Sequence, residues 1–92
     1  MTAESHGELE VPPIAISDEK AVELLRVWLS GGNQHISIRY DAWDDAAAWG
    51  LLLVDLARMV ARAYAENDGR DADAILTRIR EGFDAEWHHR AE

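Results

Sequence analysis

Apolar residues recur along this chain in two rhythms, one helical and one alternating. Ala21, Leu24, Leu25, Trp28 and Leu29 fall on one face at helical spacing, with Ser17 placed as an N-cap and Asp18 and Glu19 in the first turn. Gly31 and Gly32 follow as a stop signal, so the pattern predicts a first long helix from Asp18 to Ser30. The next stretch, QHISIRY, alternates: Ile36, Ile38 and Tyr40 lie on one side, His35, Ser37 and Arg39 on the other. Period two predicts a half-buried strand. A second helix is expected to start within Asp41 to Asp45, where aspartates cap exposed N–H groups, and to run to about Glu66 before the Asn67 to Gly69 stop. A third opens with Asp71-Ala72-Asp73 and aligns Ala72, Ile75, Leu76, Ile79, Phe83 and Trp87.

The segment VPPIAIS precedes all of this. Pro12 and Pro13 cannot donate ladder hydrogen bonds, which reads as an extended lead-in or a short edge strand around Pro13 to Ile16. A lone strand cannot satisfy its own backbone, so Ile36 to Tyr40 must pair. Its partner is either the Pro13 to Ile16 segment, through a right-handed parallel crossover, or its own copy in a second chain, antiparallel. Both together give a half-sheet doubled by a twofold axis. The predicted fold is therefore α+β: a small two-layer domain with three helices and a one- or two-stranded sheet, extended by dimerisation. Residues 1–10 read as a disordered acidic tail and 11–92 as a single domain.

The second helix carries the most apolar run in the sequence, and its projection separates three stripes. Ala46, Gly50, Val54, Ala57, Ala61 and Ala65 form a face of small residues, and Trp49, Leu53, Leu56, Val60 and Tyr64 a face of large ones. Asp44, Asp55, Arg58, Arg62 and Glu66 make a polar edge, where Asp55 can reach Arg58 and Arg62 can reach Glu66. Such a helix is covered from two directions. The large face suits the predicted first helix and the strand. The small face suits close approach of the third helix or of a second subunit, because Gly50 inside a helix costs roughly 1 kcal/mol against alanine. Trp43, Ala46, Trp49, Gly50, Ala57, Ala61, Ile36 and Ile38 are the interface candidates, the tryptophans as large buried anchors.

Composition narrows the partners. The chain of 92 residues is 48% hydrophobic and 29% charged, as in ordinary folded domains. A domain this small buries only about 60 to 65 per cent of its unfolded surface, a shortage that a second subunit relieves. Nine basic against eighteen acidic residues give a net charge of −9, the wrong sign for nucleic acid or anionic lipid. The acids are scattered along the chain rather than gathered as in a nucleic-acid mimic. With no cysteine, disulfides and thiolate metal sites are excluded. MTAESHGELE lacks the basic and apolar regions of a secretory signal, and Asp55 and Arg58 interrupt the apolar run, so a cytoplasmic protein without a membrane span is expected.

The strings LRVW at Leu25 to Trp28, QHISIR at Gln34 to Arg39 and AAWGLLLVDLARMVARAYA at Ala47 to Ala65 carry a likeness. Through them the chain resembles the short, uncharacterised domain families of alphaproteobacteria, over about two thirds of its length. That resemblance implies bacterial origin and a compact fold and no particular activity. Asp45-Ala46 departs from an Asp-Pro associated with the family, a change the first helical position tolerates.

Chemistry-bearing motifs are sparse. The sequence has no phosphate-binding glycine loop followed by lysine, no G-x-S-x-G elbow and no H-E-x-x-H. Asp41, Asp44 and Asp45 could pair as general acid and base, though helix capping accounts for them. His88 and His89, with Glu86 and Glu92, offer a possible zinc or nickel surface site, but adjacent histidines on a helix point about 100 degrees apart. No cofactor, metal or catalytic residue is therefore expected. Two functions compete: a homodimeric structural or protein-interaction module, and a small-ligand-binding or enzymatic domain built around His35, Arg39 and Asp41 to Asp45.

Overall fold

A computed structural model describes residues 7–89. It shows a small α+β protein: three α-helices and a two-stranded antiparallel sheet among the described residues. The chain divides into two compact units, one ending at Ala42 and the other beginning at Trp43.

The first unit is a β-hairpin preceded by one turn of helix. Strand β1 (Leu25–Ser30) pairs antiparallel with β2 (Asn33–Ile38) in the register Leu25 to Ile38, Val27 to Ile36, Trp28 to His35 and Ser30 to Asn33. Gly31 and Gly32 form the two-residue turn with φ of 62° and 78°. Both angles are positive, as a turn matched to the right-handed strand twist requires, and glycine adopts them without penalty. The long first helix expected over Asp18 to Ser30 is thus replaced by a strand. Leu24, Leu25, Trp28 and Leu29 fit a helical face, yet Leu25, Val27 and Leu29 also alternate, and the two glycines serve a hairpin better than a helix end.

The residues read as that helix's cap do other work. Asp18 turns the chain by accepting the Lys20 N–H at 2.9 Å, a local bond that competes with helix formation. The segment expected as an edge strand is instead helix α1 (Pro13–Ser17), with proline at its first position where a missing N–H costs nothing. Ser17 closes that helix, donating its hydroxyl to the Ile14 carbonyl at 3.2 Å. The parallel crossover is accordingly absent, because β2 finds its partner in β1. Of the expected acidic tail, residues 7–10 have no regular structure and the rest lies outside the described residues.

The second unit is a helical hairpin. Helix α2 (Ala47–Asp68) begins just after Asp45, whose carboxylate accepts the Ala47 N–H at 3.0 Å, and Trp43 meets Trp49 edge to face at 5.1 Å. It ends at Gly69, left-handed with φ 67°, whose N–H reaches the Ala65 carbonyl at 3.1 Å. Three residues later α3 (Ala72–His88) starts on its cap Asp71, which accepts the Ala74 N–H at 3.1 Å. So short a link makes the two helices antiparallel neighbours.

Helix α3 answers which neighbour covers the small face of α2. Ala61 is 2% exposed and Ile75 7% exposed, and no other described residue is buried to that degree. Ala57 and Ala65, one turn to either side of Ala61, are half-buried. Alanines let the helices approach, and burying the Ile75 side chain contributes about 1.5 to 3 kcal/mol. The cover reaches only the C-terminal half of the stripe: a Cβ built on Gly50 meets nothing within 4 Å. On the polar edge the pairs Asp55 with Arg58 and Arg62 with Glu66 do not close, whereas α3 forms Arg78 with Glu81 at 2.8 Å and Arg80 with Asp84 at 3.0 Å. Exposed pairs contribute a few tenths of a kcal/mol, too little to hold long side chains in one geometry.

Three substitutions test these contacts by chemical denaturation. Gly32→Ala places a Cβ on a left-handed backbone and should cost about 1 kcal/mol, and an unchanged midpoint would contradict the turn. Ala61→Leu should cost about 1 to 3 kcal/mol by overpacking the α2–α3 contact, while Gly50→Ala should gain about 0.5 to 1 kcal/mol. Reversal of that order would mean Gly50, not Ala61, is the crowded position.

Candidate functional site

Two features of the structure bear on function: a polar hollow at the open end of the hairpin, and apolar faces on both units. The hollow has a volume of about 380 Å³ and is lined in part by Glu23, Arg26, Arg39 and Asp41. The strand ladder builds it, because the last bond of the hairpin runs from the Arg39 N–H to the Leu24 carbonyl at 2.8 Å and brings residue 23 beside residue 39. Arg39 Nε donates to the Glu23 carbonyl at 3.1 Å, and Arg26 Nη2 lies 3.0 Å from the Glu23 carboxylate.

Both arginines are thus held by one residue. The hollow is lined by two arginines and two acids, of which Arg26 and Glu23 form an ion pair while Arg39 is held by a backbone carbonyl. Its side chains are exposed enough for water to screen them. The arrangement can position a small polar molecule by hydrogen bonds.

Of the polar cluster read from the sequence, Arg39 and Asp41 do meet here. His35 does not: it sits toward the turn, opposite Trp28, with Nε2 3.3 Å from the Ser30 carbonyl. Asp44 and Asp45 belong to the second unit, and Asp45 is occupied in capping α2. Glu23 and Arg26 were hidden from sequence reading by the helix assigned to them, although their three-residue spacing is a pairing signal. At the other end of the chain, His88 is in the last turn of α3 and the His89 N–H closes on the Glu86 carbonyl at 3.1 Å, while Glu92 lies outside the described residues. No group of three or more potential ligands that could hold a metal ion occurs among the described residues.

The apolar faces are larger. On the hairpin, cross-strand register puts Leu25, Val27, Leu29, Ile36 and Ile38 on one side, and Leu29 is 77% exposed. The interface candidates Ile36 and Ile38 belong to this open face. On α2, the large face of Leu53, Leu56, Val60 and Tyr64 stays between 37% and 49% exposed beside the stripe that α3 covers. Among the other candidates, Ala57 and Ala61 pack under α3, Trp43 and Trp49 pair with each other, and Ala46 and Gly50 are exposed. Phe83 and Trp87 stack at 5.4 Å on α3, with Trp87 largely exposed. No helix is long and apolar enough to cross a membrane among the described residues.

Comparison with known proteins finds no match among curated proteins. A solved protein from the photosynthetic bacterium Rhodopseudomonas palustrus CGA009, provisionally described as a pyruvate dehydrogenase, is similar in both sequence and fold. It shares 37% identity over 100% of this chain and 91% of its own, with a TM-score of 0.79. Residues 8–91 match the model of DUF5076, a domain of unknown function, and the chain belongs to that family.

Proposed function

We propose that this chain acts as a homodimeric structural module, a protein-interaction domain that completes its core only with a second copy. The observation that carries the reading is the open large face of α2. Leu53, Leu56, Val60 and Tyr64 line up on a helix whose other apolar stripe is covered over its C-terminal half. The hairpin supports it, since two strands with an uncovered apolar face are marginal in water.

Magnitudes favour the same conclusion. Val27, Leu29, Ile36 and Ile38 on the hairpin face are 50% to 77% exposed, so a second copy that covers them removes more apolar surface from water than the burial of Ala61 and Ile75 does. The acidic net charge of −9 opposes association weakly at physiological salt, where separated surface charges are screened beyond about 8 Å.

A second reading draws on the provisional name of the solved relative. A small-ligand-binding or enzymatic domain would use the hollow at Arg39 and Asp41, and pyruvate would then raise the melting temperature of the wild-type protein but not of Arg39→Ala.

The dimer reading predicts mass action. Melting temperature should rise with protein concentration, because a folded dimer is favoured over two unfolded chains as the concentration increases. Substituting Val60→Lys on the α2 face should abolish that dependence and lower the melting temperature at every concentration. A melting temperature independent of concentration in the wild-type protein would contradict the reading.

A further inference from the structure

We propose that β2 pairs edge to edge with β2 of a second copy, antiparallel about a twofold axis at Ile36, joining two hairpins into one four-stranded sheet. The inference rests on the homodimer reading and adds where the two copies meet.

The hydrogen-bond pattern says which groups are available. A two-residue turn makes Ser30 and Asn33 a bonded pair, and the alternation continues through Trp28 with His35 and Arg26 with Ser37 to the Arg39 N–H on the Leu24 carbonyl. The backbone N–H and C=O groups of Gln34, Ile36 and Ile38 therefore point away from β1. The sheet ends at β2, and no other strand of the described residues meets them. These three residues match themselves under a twofold axis. Ile36 faces the partner's Ile36 and Gln34 faces the partner's Ile38, so every outward group is paired.

The side chains agree with the backbone. Gln34, Ile36 and Ile38 lie on the same face as Leu25, Val27 and Leu29, and antiparallel pairing at this register keeps faces aligned. The result is a single apolar surface with five apolar residues from each copy. A shift by one residue would place those isoleucines beside the polar face instead.

The two edges of the hairpin also differ in protection. Exposed edges are normally guarded by charge, proline or a covering segment. Strand β1 carries Arg26 paired with Glu23, and the segment from Gly7 to Pro12 shares with Ala21 to Trp28 a hollow of about 560 Å³. Strand β2 has neither a charged residue nor a proline over Asn33–Ile38, and all six of its residues are exposed. An unguarded edge in a folded protein is explained when it is a pairing surface.

The absence of cysteine makes the test direct. At the proposed axis the two Cα atoms of residue 36 stand about 5.5 Å apart, inside the range a disulfide spans. Under mild oxidation Ile36→Cys should convert most of the chain to a linked dimer, while Val27→Cys, directly across on β1, should stay unlinked. Equal linking of both, or of neither, overturns the proposal. Should the substitution disturb folding, amide exchange in the unaltered protein decides the matter. The N–H groups of Gln34, Ile36 and Ile38 should be protected to within about tenfold of those of His35 and Ser37. Exchange of the first set orders of magnitude faster, in protein that light scattering shows to be dimeric, removes the edge pairing and leaves the dimer standing. A monomeric mass removes both.

Discussion

A two-stranded hairpin and a pair of helices can each bury only one face against itself, and everything else in this protein follows from that shortage. The helical unit satisfies part of it by closing α3 over the alanine stripe of α2, where small side chains allow near contact and Ala61 and Ile75 leave water almost completely. The hairpin satisfies none of it. Its turn and its ladder are well determined by Gly31, Gly32 and the paired strands, yet the isoleucines and leucines of one side remain open. Secondary structure is specified locally here, and the homodimer proposed above would supply the contacts that the open faces lack.

The chemistry of the surface fits such a role. At the hairpin's open end Glu23 holds Arg26 through its carboxylate and Arg39 through its backbone carbonyl, so the charged groups there tie the strands together. The His-rich C-terminal turn spends its backbone on closing α3. The best-developed feature is apolar and extended: the open hairpin side and the large face of α2, on which the proposed homodimer rests.

How far the sequence anticipates this depends on how many patterns a segment satisfies. Helices α2 and α3 satisfy one. Their apolar residues repeat at helical spacing, Asp45 accepts the first N–H of α2, Asp71 caps α3, and Gly69 stops α2 in the left-handed region. Both helices were therefore legible, although α2 starts at Ala47, past the Asp41 to Asp45 window, and continues to Asp68 rather than Glu66. Leu24 to Leu29 satisfy two patterns, helical and alternating, and sequence reading followed the first. The decisive clue lay in the next element: Gly31-Gly32 separate two runs of six residues, and β2 needed a partner that a hairpin supplies at once. Pro12 and Pro13 misled in the same way, since the property that bars proline from a ladder also suits it to a helix start. The small and large faces of α2 were visible in the projection, but not that α3 would cover only half of the small one, because that depends on where the antiparallel helix lies.

The central claim is that one chain does not hold enough apolar contact to stand alone. Light scattering after size exclusion, over a hundredfold dilution, tests it most directly. The account predicts a mass of about twice the 10.3 kDa chain that persists on dilution. A folded particle of single-chain mass across the whole range would contradict it.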